Sequence, residues 1–203
     1  MLSYKSFVDR LLKSGLRWVY ISIHGSNRDV HNRITRSNSF DQTLEGIKNV
    51  SQHKDLRLIV NYVIVKENLT DLNNIFDTLK DYNIDKIKFS LVEPINDAKN
   101  IITPDIKEAA EKVKDAVDYA NSIGVRVGID GFPLCIIKEY KHLVDNLKTN
   151  KILYISEVYE DRFYKVDKGN KTKITICERC NLSQECEGIY PEYINRYRNI
   201  ICK

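Results

Sequence analysis

Near its C-terminus the chain reads Cys177-Glu-Arg-Cys180-Asn-Leu-Ser-Gln-Glu-Cys186-Glu-Gly188, three thiols spaced C-x2-C-x5-C. The C-x2-C half lets one tight turn present two sulfurs to a single centre, and a third sulfur soon afterwards closes most of a coordination sphere. Iron–sulfur clusters and structural zinc both complete such spheres with a further ligand. The chain has two more cysteines to offer: Cys135, in Phe132-Pro-Leu-Cys135, and Cys202, the penultimate residue. Cys135 is the choice here, because closing it onto residues 177–186 pins the tail to the body of the chain, whereas Cys202 sits where chains fray. Thiolate ligands by themselves leave iron–sulfur and zinc both open. The C-x5-C spacing leans toward a [4Fe–4S] cluster, since zinc ribbons tend to come as two C-x2-C pairs.

Upstream of the cysteines the hydrophobic period switches repeatedly between helix and strand. Phe7, Val8, Leu11 and Leu12 recur at helical spacing, with Gly15 as the stop. Trp18–Ile23 reads as a buried strand, and residues 24–38, polar and without apolar period, read as a long loop at its carboxyl end. A helix is expected to open at Ser39, with Gln42 three residues on as a capping box. Residues 56–65 form a second, nearly continuous apolar strand, the mark of a strand covered on both faces. Thr70 is the expected cap of the next helix, residues 85–92 the third strand, Pro104 the first residue of a helix running to Ser122, and residues 125–129 the fourth strand. Alternation of this kind means right-handed crossovers onto a parallel sheet. After Gly131 it lapses: residues 133–149 look helical, residues 152–156, 161–166 and 172–176 extended, and Tyr190, Tyr193 and Tyr197 share one face of a short final helix. Two parts follow, an α/β body over 1–131 and a cysteine-bearing extension over 132–203. The first strand would form an edge of the sheet at the very start of the chain, and such an edge calls for a cover.

Composition closes off several classes. Net charge is only +4, from 32 basic and 28 acidic residues that interleave, so no nucleic-acid stripe is indicated. No apolar run reaches the roughly 20 residues that cross a bilayer, and Asp9, Arg10 and Lys13 break any signal-peptide pattern at the N-terminus. An odd cysteine count without an export signal points to a reducing, cytoplasmic setting.

The motifs in order resemble those of radical SAM enzymes. Ser22-Ile-His-Gly25, His31-Asn-Arg-Ile-Thr-Arg36, the helix Ser39-Phe-Asp-Gln-Thr-Leu-Glu-Gly-Ile47, Asn61-Tyr-Val-Ile64 with Asn68, and the tail from Cys177 through Gly188 to Tyr193 follow that family's later barrel and its auxiliary-cluster knuckle. The resemblance implies an incomplete (βα)6 partial TIM barrel holding its later strands, followed by an extension of the SPASM or twitch kind. It implies Ser22, Arg36 and Asn61 as contacts to the carboxylate and ribose of S-adenosylmethionine, and Cys135, Cys177, Cys180 and Cys186 as ligands of an auxiliary [4Fe–4S] cluster. It also implies modification of a peptide or small molecule. The C-x3-C-x2-C loop that reduces S-adenosylmethionine in this family does not occur in the sequence. The chain alone is therefore expected not to cleave the cofactor, and an N-terminal half, or a second copy, is the expected partner on the open sheet edge. Two other readings stand beside this one: a free-standing iron–sulfur electron-transfer or accessory protein, and a structural four-cysteine zinc module for protein interaction. His24 and His31, seven residues apart, fit no zinc motif and are expected to hydrogen-bond.

Overall fold

A computed structural model describes residues 1–94, 102–144, 153–156, 159–165 and 170–196. Helix α1 (Lys5–Lys13) leads into β1 (Trp18–Ile23), followed by α2 (Arg28–Thr35), α3 (Phe40–Ser51) and β2 (Arg57–Ile64). A 3-10 turn over Lys66–Asp71 and α4 (Asn74–Leu79) lead to β3 (Lys86–Leu91), and α5 (Ile106–Ser122) leads to β4 (Val127–Asp130). The four strands form one parallel sheet in the order β1-β2-β3-β4. This is an α/β, partial TIM-barrel fold of the expected kind. Beyond it lie a 3-10 segment at Lys138–Leu143, an antiparallel pair β5 (Leu153–Ser156) and β6 (Tyr159–Lys165), a 3-10 turn at Thr175–Arg179 and α6 (Pro191–Arg196).

The sheet buries one face completely. Leu58, Val60, Tyr62 and Ile64 of β2 are all fully buried under the helices, with Ile47 and Val50 of α3 and Ile75 of α4. A side chain of this size contributes roughly 1.5–3 kcal/mol when fully buried, so β2 is the spine of the body. Helix α5 covers the far end with an alanine-rich stripe, Ala109, Ala110, Val113, Ala116, Val117 and Ala120, whose small side chains let it lie close to the strands. The opposite face is open and polar: Ser22 pairs in register with Asn61, Asn61 with Lys88, and Ser90 with Asp130.

Six local expectations are corrected by the structure. Residues 28–35 are helical rather than loop: Asn27 accepts from the Val30 amide as N-cap, and Arg36 ends the turn in a left-handed conformation at φ 53°. Helix α3 begins without a capping box, because Asn32 Oδ1 reaches across from α2 to accept from the amides of both Ser39 and Phe40 at 3.0 Å. Thr70 caps nothing; it is exposed within the 3-10 turn, and α4 starts after Asn73. Asp105, not Thr103-Pro104, opens α5, accepting from the amides of Lys107 and Glu108. The segment expected as helix over 133–149 is a short 3-10 run at Lys138–Leu143, and its residues 145–149 lie outside the described residues, as do Tyr197 and Cys202. The extended segment expected over 172–176 reduces to one bridge between Thr172 and Ile189, after which the chain tightens into the 3-10 turn.

Candidate functional site

The carboxyl ends of the parallel strands are where loops can carry chemistry in such folds, and here they are held by a dense polar scaffold. Asn68 Nδ2 donates to the carbonyls of His24 and Val63, while its Oδ1 accepts from the Val65 amide, so one buried side chain ties the ends of β1 and β2 together. Asp71, also buried, accepts from the Ser26 amide at 2.6 Å, the Ser26 hydroxyl at 2.5 Å and the Tyr62 hydroxyl at 3.0 Å. Burial, followed by the Asp71 charge, pushes the Tyr62 hydroxyl well above its usual range and keeps it a donor. His31 Nδ1 accepts from the His24 amide, leaving Nε2 to donate to Ser39 Oγ at 3.2 Å. Burial, then the neighbouring His24, lowers His31 to about 4, so the ring is neutral at physiological pH. The His31 ring is thus part of the scaffold, whereas His24 joins it through its backbone, and its Nδ1 is buried without a hydrogen-bond partner among the described residues.

Of the three residues implied as cofactor contacts, two stand together. Ser22 and Asn61 are register partners on the open face, Ser22 exposed and Asn61 half-buried with its Oδ1 accepting from Ser90 Oγ at 2.6 Å. Arg36 sits at the end of α2, exposed, and shares no hydrogen bond with either among the described residues. Sequence reasoning missed Ser26 and Asp71, although Asp71 carries as much of the loop as the motif residues do. Asp71 lies in the polar run Lys66-Glu-Asn-Leu-Thr-Asp71-Leu-Asn-Asn74, where one more acid gives no signal.

The four cysteines named from spacing line one cavity. Cys135, Cys177, Cys180 and Cys186 surround it, with Pro133, Ile174, Leu182 and Ile189 among its walls. The 3-10 turn at Thr175–Arg179 places Cys177 and Cys180 on one tight bend, closed by the Cys180 amide donating to the Cys177 carbonyl at 3.2 Å. The amides of Leu134 and Gly188 point at Cys186 Sγ, at 3.5 and 3.4 Å. Such N–H···S contacts fix the direction in which the Cys186 sulfur faces. Gly188 is required: its φ is +102°, and a Cβ there would collide with the Thr172 carbonyl oxygen. Among the described residues no three His, Cys, Asp or Glu side chains converge on a single-ion site. The sulfurs edge a cavity rather than meet at a point. A set of four thiols around an apolar recess, with amides aimed at sulfur, fits an iron–sulfur cluster in donor type and in surroundings.

Residues 1–79 match the family model described as the Radical SAM superfamily. The match is to the N-terminal part of the 203-residue chain. A probable GTP 3',8-cyclase of Sulfurisphaera tokodaii is 26% identical over 114 residues, covering 52% of this chain and 36% of that protein. Among solved structures, Streptococcus suis SuiB bound to S-adenosylmethionine aligns with a TM-score of 0.62 at 14% identity, over 95% of this chain and 54% of that one. Native anSMEcpe with bound AdoMet aligns at 0.57 and 13% identity, over 96% of this chain and 68% of its own. At these identities the two structures bear on the fold. The chain spans about a third of the length of the curated relative and just over half of SuiB. No helix among the described residues is long and apolar enough to cross a membrane.

Proposed function

We propose that this chain is the C-terminal portion of a radical SAM enzyme, in which Cys135, Cys177, Cys180 and Cys186 hold an auxiliary [4Fe–4S] cluster. The observation that carries the reading is the cavity lined by all four thiols, one of them forty-two residues upstream of the other three. The N-terminal match to the superfamily and the parallel half-barrel support it. When bound, such a cluster supplies an electron-transfer centre or an iron site for substrate. This chain's residues do the rest. The Leu134 and Gly188 amides orient the Cys186 sulfur, and Pro133, Ile174, Leu182 and Ile189 give the cavity apolar walls. Ser22 and Asn61 present a hydroxyl and an amide on the open face, suited to the carboxylate and ribose of S-adenosylmethionine, with Arg36 available for a carboxylate. Division into a body over 1–131 and a cluster-bearing extension over 132–203 belongs to the same proposal, as does a peptide or small molecule as substrate.

Iron, acid-labile sulfide and zinc measured per chain after anaerobic purification test it. Iron and sulfide near four each, about what one such cluster holds, are expected. About one zinc with no iron would instead make the knuckle a structural staple and remove redox chemistry from this part of the protein.

A further inference from the structure

At the carboxyl ends of β3 and β4 the knuckle meets the sheet through a group of charges that no motif singled out. Lys88 Nζ lies 2.8 Å from Asp130 Oδ2. Lys171 Nζ lies 3.6 Å from Asp130 Oδ1 and 2.8 Å from Glu187 Oε2. Asn170 donates to Glu93 Oε1 at 3.1 Å, and the Tyr190 ring sits 5.5 Å from the Lys171 ammonium. Burial, then the charges of Asp130, Glu93 and Glu187, raises the Tyr190 hydroxyl above its usual range.

Glu187 is the member out of balance. Its side chain is only 9% exposed, Lys171 occupies Oε2, and Oε1 is buried with no hydrogen-bond donor. A buried acceptor left without a donor costs about 1–3 kcal/mol, so such atoms in native proteins ask for a partner. A cluster on the four cysteines does not provide one, because its sulfurs carry no N–H or O–H. Charge is short as well: among the described residues the group joins three carboxylates, Glu93, Asp130 and Glu187, with two ammoniums, Lys88 and Lys171. A primary ammonium or guanidinium brings both the missing donor and the missing charge.

We propose that Glu187, beside Lys171 and Tyr190 at the mouth of the half-barrel, is the subsite for an N–H cation of the substrate, a primary ammonium or guanidinium. The proposal rests on the radical SAM reading, in which this mouth faces substrate, and it narrows the substrate class to molecules bearing such a group.

Isothermal titration of the full chain with Nα-acetyl-lysine amide and with Nα-acetyl-norleucine amide, its uncharged counterpart, tests the subsite. The lysine compound is expected to bind about tenfold more tightly, the scale of one charge-assisted hydrogen bond. Glu187→Gln is expected to erase that preference while keeping the far-UV circular dichroism of the parent. Should that variant not fold, Glu93→Gln, at a half-buried carboxylate of the same group, is expected to reduce the preference about threefold. Equal binding of the two compounds by the parent chain, or undiminished preference in the folded variant, overturns the proposal. Iron determined on the same samples separates the two readings: preference without iron upholds the subsite and sinks the cluster, and iron without preference does the reverse.

Discussion

Asp71 accepts from the Ser26 amide and hydroxyl, from Tyr62 and from Asn74 Nδ2, and it does so while 6% exposed. Asp71→Ala strands those donors in the interior, and unfolding by urea should show a loss of about 3 kcal/mol; a loss below about 1 would mean water replaces the carboxylate. His31 offers a pH signature. Burial lowers its pKa to about 4, below the ordinary imidazole value of 6.5, so between those values the unfolded chain binds more protons than the folded one. Stability from the neutral ring is therefore complete above pH 6.5 and declines as pH falls toward 4. Thermal unfolding followed from pH 7 to 4.5 should show that decline, and His31→Gln should flatten it; an identical slope in both proteins would place the effect elsewhere. The grouping of Cys177, Cys180 and Cys186 was legible because their spacing is short and regular, and Cys135 lines the same cavity from a distant part of the chain. Asp71 and Glu187 were not legible, since a lone acid becomes informative only once burial shows what surrounds it.

Elements were legible where hydrophobic period is long and unmixed. All four parallel strands fall where alternation and β-branching put them, and α5 follows its alanine–valine stripe. Helix α2 escaped because its eight residues hold few apolar side chains and its end is a left-handed Arg36 rather than a glycine, although Asn27 is an ordinary local N-cap. The cap of α3 came from Asn32 on another helix, which no local box can reveal. The knuckle depends in the same way on a distant backbone, and Gly188 is where the dependence is sharpest. Gly188→Ala should shift Thr172 from its bridge with Ile189 and cost several kcal/mol in that element, on the order of 1–3 from the left-handed backbone alone. We expect the variant to bind at least severalfold less iron while the far-UV signal of the half-barrel persists. Cys180→Ser is expected to give the same division, metal lost and body folded. Collapse of the helical signal in Cys180→Ser would mean that body and extension fold as one unit.

At the scale of the whole molecule the sheet is asymmetric. Strand β4 is followed by a bridge from Ile129 to Val144 and by the extension, whereas β1 is an edge strand in the order of the sheet. On its open face Trp18 and Tyr20 are 54% and 53% exposed, and the Arg57 guanidinium lies 5.2 Å from the Trp18 ring. An apolar parallel edge with aromatic side chains standing free is a surface built to be covered. Under the proposed function, the cover for that edge is the missing part of a barrel. With S-adenosylmethionine and dithionite, this chain by itself should yield no 5′-deoxyadenosine. Mixed with a chain carrying the C-x3-C-x2-C half of such a barrel, it should yield the product and elute as a larger species. Tyr20→Glu places a charge on the edge strand and should abolish both the larger species and the product, yet leave the iron of the knuckle in place, because β1 and the four cysteines share no element. If the variant still assembles and reacts, the partner docks elsewhere and the exposed edge of β1 has another cover. If the parent chain cleaves the cofactor unaided, the reducing centre lies within these residues, and the knuckle cysteines become its ligands by elimination.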